Sequence, residues 1–251
     1  MKYVFSETLV AGDSVSLSGK VAIVTGGSGA LGSALVKVLL EHGASVVATY
    51  RNAKTHVEFD FGENVARLTF LPVDVTDESS VKAFINEVAR RFGHIDILVN
   101  TVGAHVGGSE VADLRLDDWN FMLDVNLKSA FLCCKTVLPY LIRQNSGRIV
   151  NVAARPAVEK RFRVKNCAYS VSKAGVVVLT ETIAEEVKKY DINANCVLPS
   201  TMDTSANRRD MPNVDFSKWV KPEDVANVIL FLVENNSEVT SGATIPVYGK
   251  A

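Results

Sequence analysis

Tyr169 and Lys173 are the residues whose types and spacing most directly suggest chemistry. If the chain is helical from Ala168 onward, they stand four apart on one helix face, with an ammonium beside a phenol. An ordinary tyrosine titrates near about 10 and an ordinary lysine near about 10.4, so neither exchanges protons readily at neutral pH. A positive charge held close to the phenol would lower its pKa and make it a usable proton donor to a carbonyl or imine undergoing reduction. Taken alone, the pair is equally two ordinary residues on a solvated helix. A cofactor site elsewhere in the chain decides between the two.

Such a site is expected after the first apolar run. Val21, Ala22, Ile23 and Val24 suit a buried parallel strand, and a glycine cluster follows at once, Gly26-Gly27-Ser28-Gly29-Ala30-Leu31-Gly32. A helical pattern continues through Leu35, Val38, Leu39 and Leu40. Gly27, Gly29 and Gly32 satisfy G-x-G-x-x-G in the strand, turn and helix context that a dinucleotide-binding turn requires. Gly26, Ser28, Gly29, Ala30, Leu31 and Gly32 are therefore expected against a pyrophosphate at the helix N-terminus. The alternative is a glycine-rich turn that closes a βα unit and holds no ligand.

The second strand, Ser45–Thr49, leads into Tyr50 and Arg51, where NAD-selecting folds place an acid about twenty residues past the glycines. With no carboxylate there to repel a 2′-phosphate and a guanidinium able to bind one, NADP(H) is favoured over NAD(H). Otherwise Arg51 is a surface residue. Strands are further expected at 67–73, 95–99, 148–152, 192–198 and 243–247. Helices are expected at 78–91, from about 117 to 144, at 168–190 and, opened by Pro222, at 222–234. This alternation predicts an α/β fold, a single-domain Rossmann fold with a doubly wound parallel sheet of about seven strands. It occupies 19–251, behind an N-terminal arm at 1–18 that is either disordered or packed on a neighbouring subunit.

Composition bounds the partners. A 251-residue chain with 47% hydrophobic residues can bury one large core, and a formal net charge of −1 gives no electrostatic case for nucleic acid or an anionic membrane. Small-molecule substrates are expected instead. Cys133, Cys134, Cys167 and Cys196 have no metal-ligand spacing, so no metal site is expected and the thiols read as reduced. With no signal-like apolar run near Met1 and no run of about 18 apolar residues, a cytoplasmic protein is expected.

Taken together, Thr25-Gly26 with Gly32, Asp74, Asn100 with Gly103, Asn126, Tyr169 with Lys173, and Asn195-x-x-x-Pro199 with Thr204 resemble the short-chain dehydrogenases/reductases over about residues 18–249. The resemblance implies hydride transfer with a nicotinamide cofactor and a homo-oligomer, tetramer or dimer. It implies that Asp74, beside Val75, contacts the adenine, and that Asn100 and Gly103 line the cofactor cleft. Pro199 and Thr201 would belong to the same cleft. Lys173 would hold the nicotinamide ribose and lower the pKa of Tyr169, and Asn126 would order a water for the proton relay.

Three positions depart from the family pattern. Ala30 stands for the middle glycine and Pro199-Ser200 for Pro-Gly, while Ala153 or Ala154 takes the place of the catalytic serine. Loss of one preorganised donor to a developing oxyanion costs about 10²–10³ in rate. The enzyme is therefore weakened, or another donor (Arg155, Asn166 or a water) substitutes, or the substrate needs none. The last case gains from a narrower resemblance to the quinonoid dihydropteridine reductase branch in the glycine loop, in the alanine at 154 and in the tail from Leu198 to Trp219. That branch has an acid near Tyr50 and a tryptophan where this chain has His105.

His105 and Arg155 join Ala154 as expected substrate-side residues, unless His105 is only a loop histidine. The basic run Glu159–Lys165 borders the mouth as an anion-attracting or solvated loop, and Asn207, Arg208, Arg209, Phe216 and Trp219 fall in a lid. Three functions follow. The first is an NADP(H)-dependent reductase of a conjugated C=N or C=O. The second is a 3-oxoacyl-carrier-protein type of carbonyl reductase, and the third is a cofactor-binding sensor or scaffold.

Overall fold

The first strand, β1 (Val21–Thr25), is buried at every residue, as a run of apolar side chains covered on both faces demands. The computed structural model describes residues 17–51, 62–234 and 237–250. After β1 come β2 (Ser45–Tyr50), β3 (Leu68–Pro72), β4 (Ile97–Asn100), β5 (Ser146–Val152), β6 (Asp191–Pro199) and β7 (Thr244–Val247). They form one sheet in the order β3-β2-β1-β4-β5-β6-β7, with every neighbouring pair parallel. Strand order reverses between β1 and β4, so the carboxyl ends of those two strands open a crevice for a ligand.

Helices cover both faces. The helices are α1 (Ala30–Glu41), α2 (Glu78–Phe92), α3 (Leu116–Met122), α4 (Ser129–Gln144), α5 (Cys167–Val187), α6 (Ser205–Asp210) and α7 (Pro222–Val233). Leu35 and Leu39 of α1 pack with Ile229 and Leu232 of α7 on one side of the sheet. On the other, Ile85 of α2, Val137 of α4 and Ile183 of α5 pack with Ile23, Leu98 and Ile149. Asp77 caps α2 by accepting from Ser80 N at 2.7 Å, and Gly93 ends it at φ +81°.

Two expectations need correction. Leu17, assigned to the arm, is 2% exposed and its N–H donates to His42 O at 2.7 Å, so the core begins there; residues 1–16 lie outside the described residues. The single helix expected from about 117 to 144 is interrupted by a π turn, Leu123–Lys128, between α3 and α4. A π turn adds one residue to the turn and redirects its side chains, here placing Asn126 in the interior at 1% exposure. The whole run Leu116–Gln144 is long and apolar enough to cross a membrane by length and composition, but half of that window is buried within the domain.

Candidate active site

The turn after β1 divides its work among the glycines differently from the G-x-G-x-x-G spacing. Gly26, not Gly27, takes the left-handed turn at φ +68°. Its N–H donates to Thr49 Oγ1 at 3.0 Å, and its carbonyl accepts from Gly29 N at 2.9 Å. A Cβ on Gly27 would stand 2.6 Å from Ala48 Cβ, and one on Gly32 would stand 2.1 Å from Gly26 O. Gly27 therefore lets β2 approach, and Gly32 lets α1 pack against the turn. Gly29 is the N-cap of α1 and is least constrained, since a Cβ there would stand 3.3 Å from Gly26 O. No side chain caps α1 and no acid lies in its first turn. Its free N–H groups, with exposed Ala30 and half-buried Ser28 at the rim and Leu31 buried behind, fit a pyrophosphate.

The neighbouring strand ends extend this cradle. Tyr50 sets its ring 6.5 Å from that of Phe70, and Arg51 is exposed at the end of β2. Asp74 accepts from Thr76 N at 2.9 Å and Thr76 Oγ1 at 2.7 Å. These bonds hold its carboxyl below the usual range, and the charge of Arg51 adds to the effect. Val75 beside it is buried. Asn100 points inward to the sheet: Nδ2 donates to Asn151 Oδ1 at 2.8 Å, and Asn151 Nδ2 donates to Thr180 Oγ1 at 2.9 Å. This buried relay ties β4 and β5 to α5 and fixes the helix that carries Tyr169 and Lys173. Pro199 closes β6, and Thr201 O accepts from Val220 N at 3.2 Å. A cleft of about 620 Å³ runs on from Ala30 between α1, α6 and the start of α7.

Lys173 is 4% exposed, and its Nζ donates to Val152 O at 2.8 Å. Burial lowers its pKa to about 8. Tyr169 moves the other way, pushed up to about 12 by burial. The expected lowering of the phenol by the ammonium is thus not what this arrangement produces: the lysine is turned to the end of β5, and desolvation governs the tyrosine. The side-chain amide of Asn126 is engaged by protein groups. Oδ1 accepts from Ala104 N at 2.9 Å, while Nδ2 donates to Ala104 O at 3.1 Å and to Ser172 Oγ at 3.1 Å. It latches the loop after β4 to α5. Gly103 passes between the two side chains, since a Cβ there would stand 3.1 Å from Asn126 Oδ1 and 3.2 Å from Lys173 Nζ.

Ala154 is buried after β5 and offers no hydroxyl. Arg155 is not available in its place. Its Nε donates to Glu159 Oε1 at 3.0 Å, and its guanidinium lies between the rings of Phe162 at 4.3 Å and Tyr248 at 4.4 Å. The two arginines of the basic run are likewise engaged: Arg161 pairs with Glu159, and Arg163 donates to Pro156 O and Ala157 O. His105 stands edge-on to Tyr169, with centroids 4.8 Å apart and planes at 90°. In the lid, Arg208 holds Asp203 through two bonds, Asn207 donates to Met202 O, and Phe216 packs on Trp219 at 4.8 Å. The sequence does not show the roles of Ser172 and Tyr248. Ser172 lies beside Lys173 on α5 and accepts from Asn126 Nδ2 of the π turn, and Tyr248 covers Arg155 from the far end of the chain, contacts that no local spacing shows.

A family model described as short chain dehydrogenase matches residues 20–214. The chain belongs to the short-chain dehydrogenase family. It is 31% identical over 244 residues to a 3-oxoacyl-[acyl-carrier-protein] reductase of Thermotoga maritima, covering 93% of this chain and 98% of the relative. An uncharacterized oxidoreductase of Staphylococcus aureus is 30% identical over 229 residues, covering 89% and 94%. Among solved structures, a protein termed gox2181 superposes with TM-score 0.86 at 27% identity, over 93% of this chain and 96% of that one. An NAD⁺-bound xylitol dehydrogenase gives TM-score 0.85 at 27% identity, over 93% and 99%. The chain is accordingly a short-chain oxidoreductase.

Proposed function

We propose that this short-chain oxidoreductase is an NADP(H)-dependent reductase that delivers hydride to a conjugated C=N or C=O, with quinonoid dihydropterin as the best single substrate. The observation that carries the reaction class is the Tyr169–Lys173 pair, fixed on α5 at the carboxyl ends of β4 and β5 beside an uncapped glycine turn. A bound nicotinamide dinucleotide would supply the hydride. The turn from Gly26 to Gly32 holds its pyrophosphate, with Asp74, Val75, Asn100, Gly103, Pro199 and Thr201 along the cleft and Arg51 toward a 2′-phosphate. Tyr169, whose pKa of about 12 keeps it protonated at neutral pH, gives its proton to the substrate oxygen or nitrogen. Lys173 places a positive charge behind that proton. Asn126 holds the 103–105 loop against both.

The pterin assignment is supported by the alanine at 154 and by the tail resemblance, because a substrate that regains conjugation on reduction places less demand on a second donor. A 3-oxoacyl thioester is the second candidate, favoured by the Thermotoga maritima relative. NADPH and NADH oxidation should be followed with quinonoid dihydropterin and with an acetoacetyl thioester, for wild type and Tyr169→Phe. Turnover of the pterin that collapses in the variant is the expected result. Turnover of the thioester alone moves the assignment to the second candidate, and turnover that survives Tyr169→Phe removes the tyrosine from the reaction.

A further inference from the structure

The reductase proposed above lacks a hydroxyl after β5, and Arg155, Lys173, Asn126 and Asn166 are each engaged by other protein groups. Arg155 is held by Glu159, Phe162 and Tyr248, and Lys173 is held by Val152 O. Asn126 is spent on Ala104 and Ser172. Asn166 donates through Nδ2 to Phe162 O at 3.2 Å, which turns its Oδ1 toward His105 Nε2 at 2.9 Å. An amide oxygen only accepts, so Nε2 carries a hydrogen. The same contact is covered by backbone: a Cβ on Gly107 would stand 2.2 Å from Asn166 Oδ1 and 3.0 Å from His105 Nε2. The imidazole is thereby held by one nitrogen, edge-on to Tyr169, with Nδ1 as its uncommitted polar atom.

We propose that His105 is the second hydrogen-bond donor to the reacting substrate, in the place of the absent serine. Resting on the reductase function above, the step balances as follows. Hydride from the nicotinamide adds to the substrate carbon, and the two electrons of the π bond move to the oxygen or nitrogen. The Tyr169 hydroxyl proton passes to that atom, and an Nδ1–H, present when the ring carries its second proton, steadies the developing charge without leaving the ring. Neutral imidazole cannot do this, because with Nε2–H fixed by Asn166 its Nδ1 only accepts. The charged groups nearest this loop are Lys173, buried on the same helix as Tyr169, and the Glu110–Lys165 pair at 3.9 Å on the strip joined by the Ser109–Asn166 bridge.

The test uses the full chain with NADPH and the two substrates above. His105→Phe keeps a ring against Tyr169 and removes both nitrogens. It should lower kcat by about 10²-fold, the loss typical of one donor to a developing anion, while NADPH binding measured by fluorescence is unchanged. Adding Ala154→Ser to His105→Phe should return most of that loss, which a merely packing role would not allow. An unchanged kcat in His105→Phe overturns the inference, as does a loss that Ala154→Ser fails to relieve. If wild type is idle and Ala154→Ser is active, the reductase function stands and His105 is not the substitute. If both are idle, the proposed function fails and the inference falls with it.

Discussion

Lys173 is the residue at which the structure makes its most quantitative claim. Its ammonium is 4% exposed, has one hydrogen-bond acceptor, Val152 O, and carries a pKa lowered by burial from 10.5 to about 8. Between those two values the unfolded chain binds a proton that the folded chain has released, so folding gains stability as pH rises. Integrated from pH 7 to pH 9.5, the two titrations differ by about 1.4 protons per pH unit summed, or about 2 kcal/mol. The buried thiols oppose it. Burial raises the pKa of Cys133, Cys134 and Cys196, so their ionisation in the unfolded chain erodes stability over the upper part of that window. Comparing wild type with Lys173→Met cancels the contribution of Cys133 and Cys134, while Cys196, whose thiolate the Lys173 charge favours, changes together with the lysine. Urea unfolding of both proteins at pH 7 and pH 9.5 should show wild type gaining about 2 kcal/mol on the variant as pH rises. A difference that stays flat with pH, or moves the other way, would mean that the ammonium is not desolvated.

The glycine turn and the ribose end of the cleft give two further tests. Gly32→Ala puts a Cβ 2.1 Å from Gly26 O and must push α1 off the turn, whereas Gly29→Ala meets the same oxygen at 3.3 Å. NADPH binding, followed by fluorescence titration, should be lost in Gly32→Ala and fall less than about tenfold, or about 1.4 kcal/mol, in Gly29→Ala; equal losses would contradict the division of work among the glycines. Arg51→Ala should weaken NADPH by about tenfold with little change for NADH, the scale of one charge-assisted contact to phosphate. Equal weakening of both nucleotides would remove Arg51 from the 2′-phosphate.

What could be read in the chain, and what could not, follows from how far each interaction reaches. β1 is legible because burial on both faces demands an unbroken apolar run, and the glycine turn because its neighbours lie within a few residues. α5 is legible because four-residue spacing fixes a helix face. That spacing shows which face Lys173 occupies but not that its ammonium meets Val152 O on β5. The π turn is not legible because nothing in Leu123–Lys128 breaks a helical pattern, while the bonds that favour it run from Asn126 to Ala104 and Ser172. Arg155 looked available beside Ala154 because Tyr248, which covers it, comes from the far end of the chain. Leu17 looked like part of an arm because its partner, His42 O, lies beyond α1.

The side chains proposed to react consequently rest on two supports of different character. α5 is fixed by the buried line Asn100, Asn151 and Thr180, whose partners are all in regular elements. The loop after β4 is held by two asparagines, Asn126 gripping Ala104 and Asn166 gripping His105, together with the backbone bond from Gly108 N to Lys165 O beside the Ser109–Asn166 bridge. A serine after β5 would have placed the second donor on the sheet side of the substrate. With alanine there, the proposed donor beside Tyr169 is His105 on the loop side, and its accuracy then depends on those two amides. Loosening Asn166 should therefore disturb the reaction more than the size of its own contact suggests, because the amide fixes which nitrogen of His105 is free.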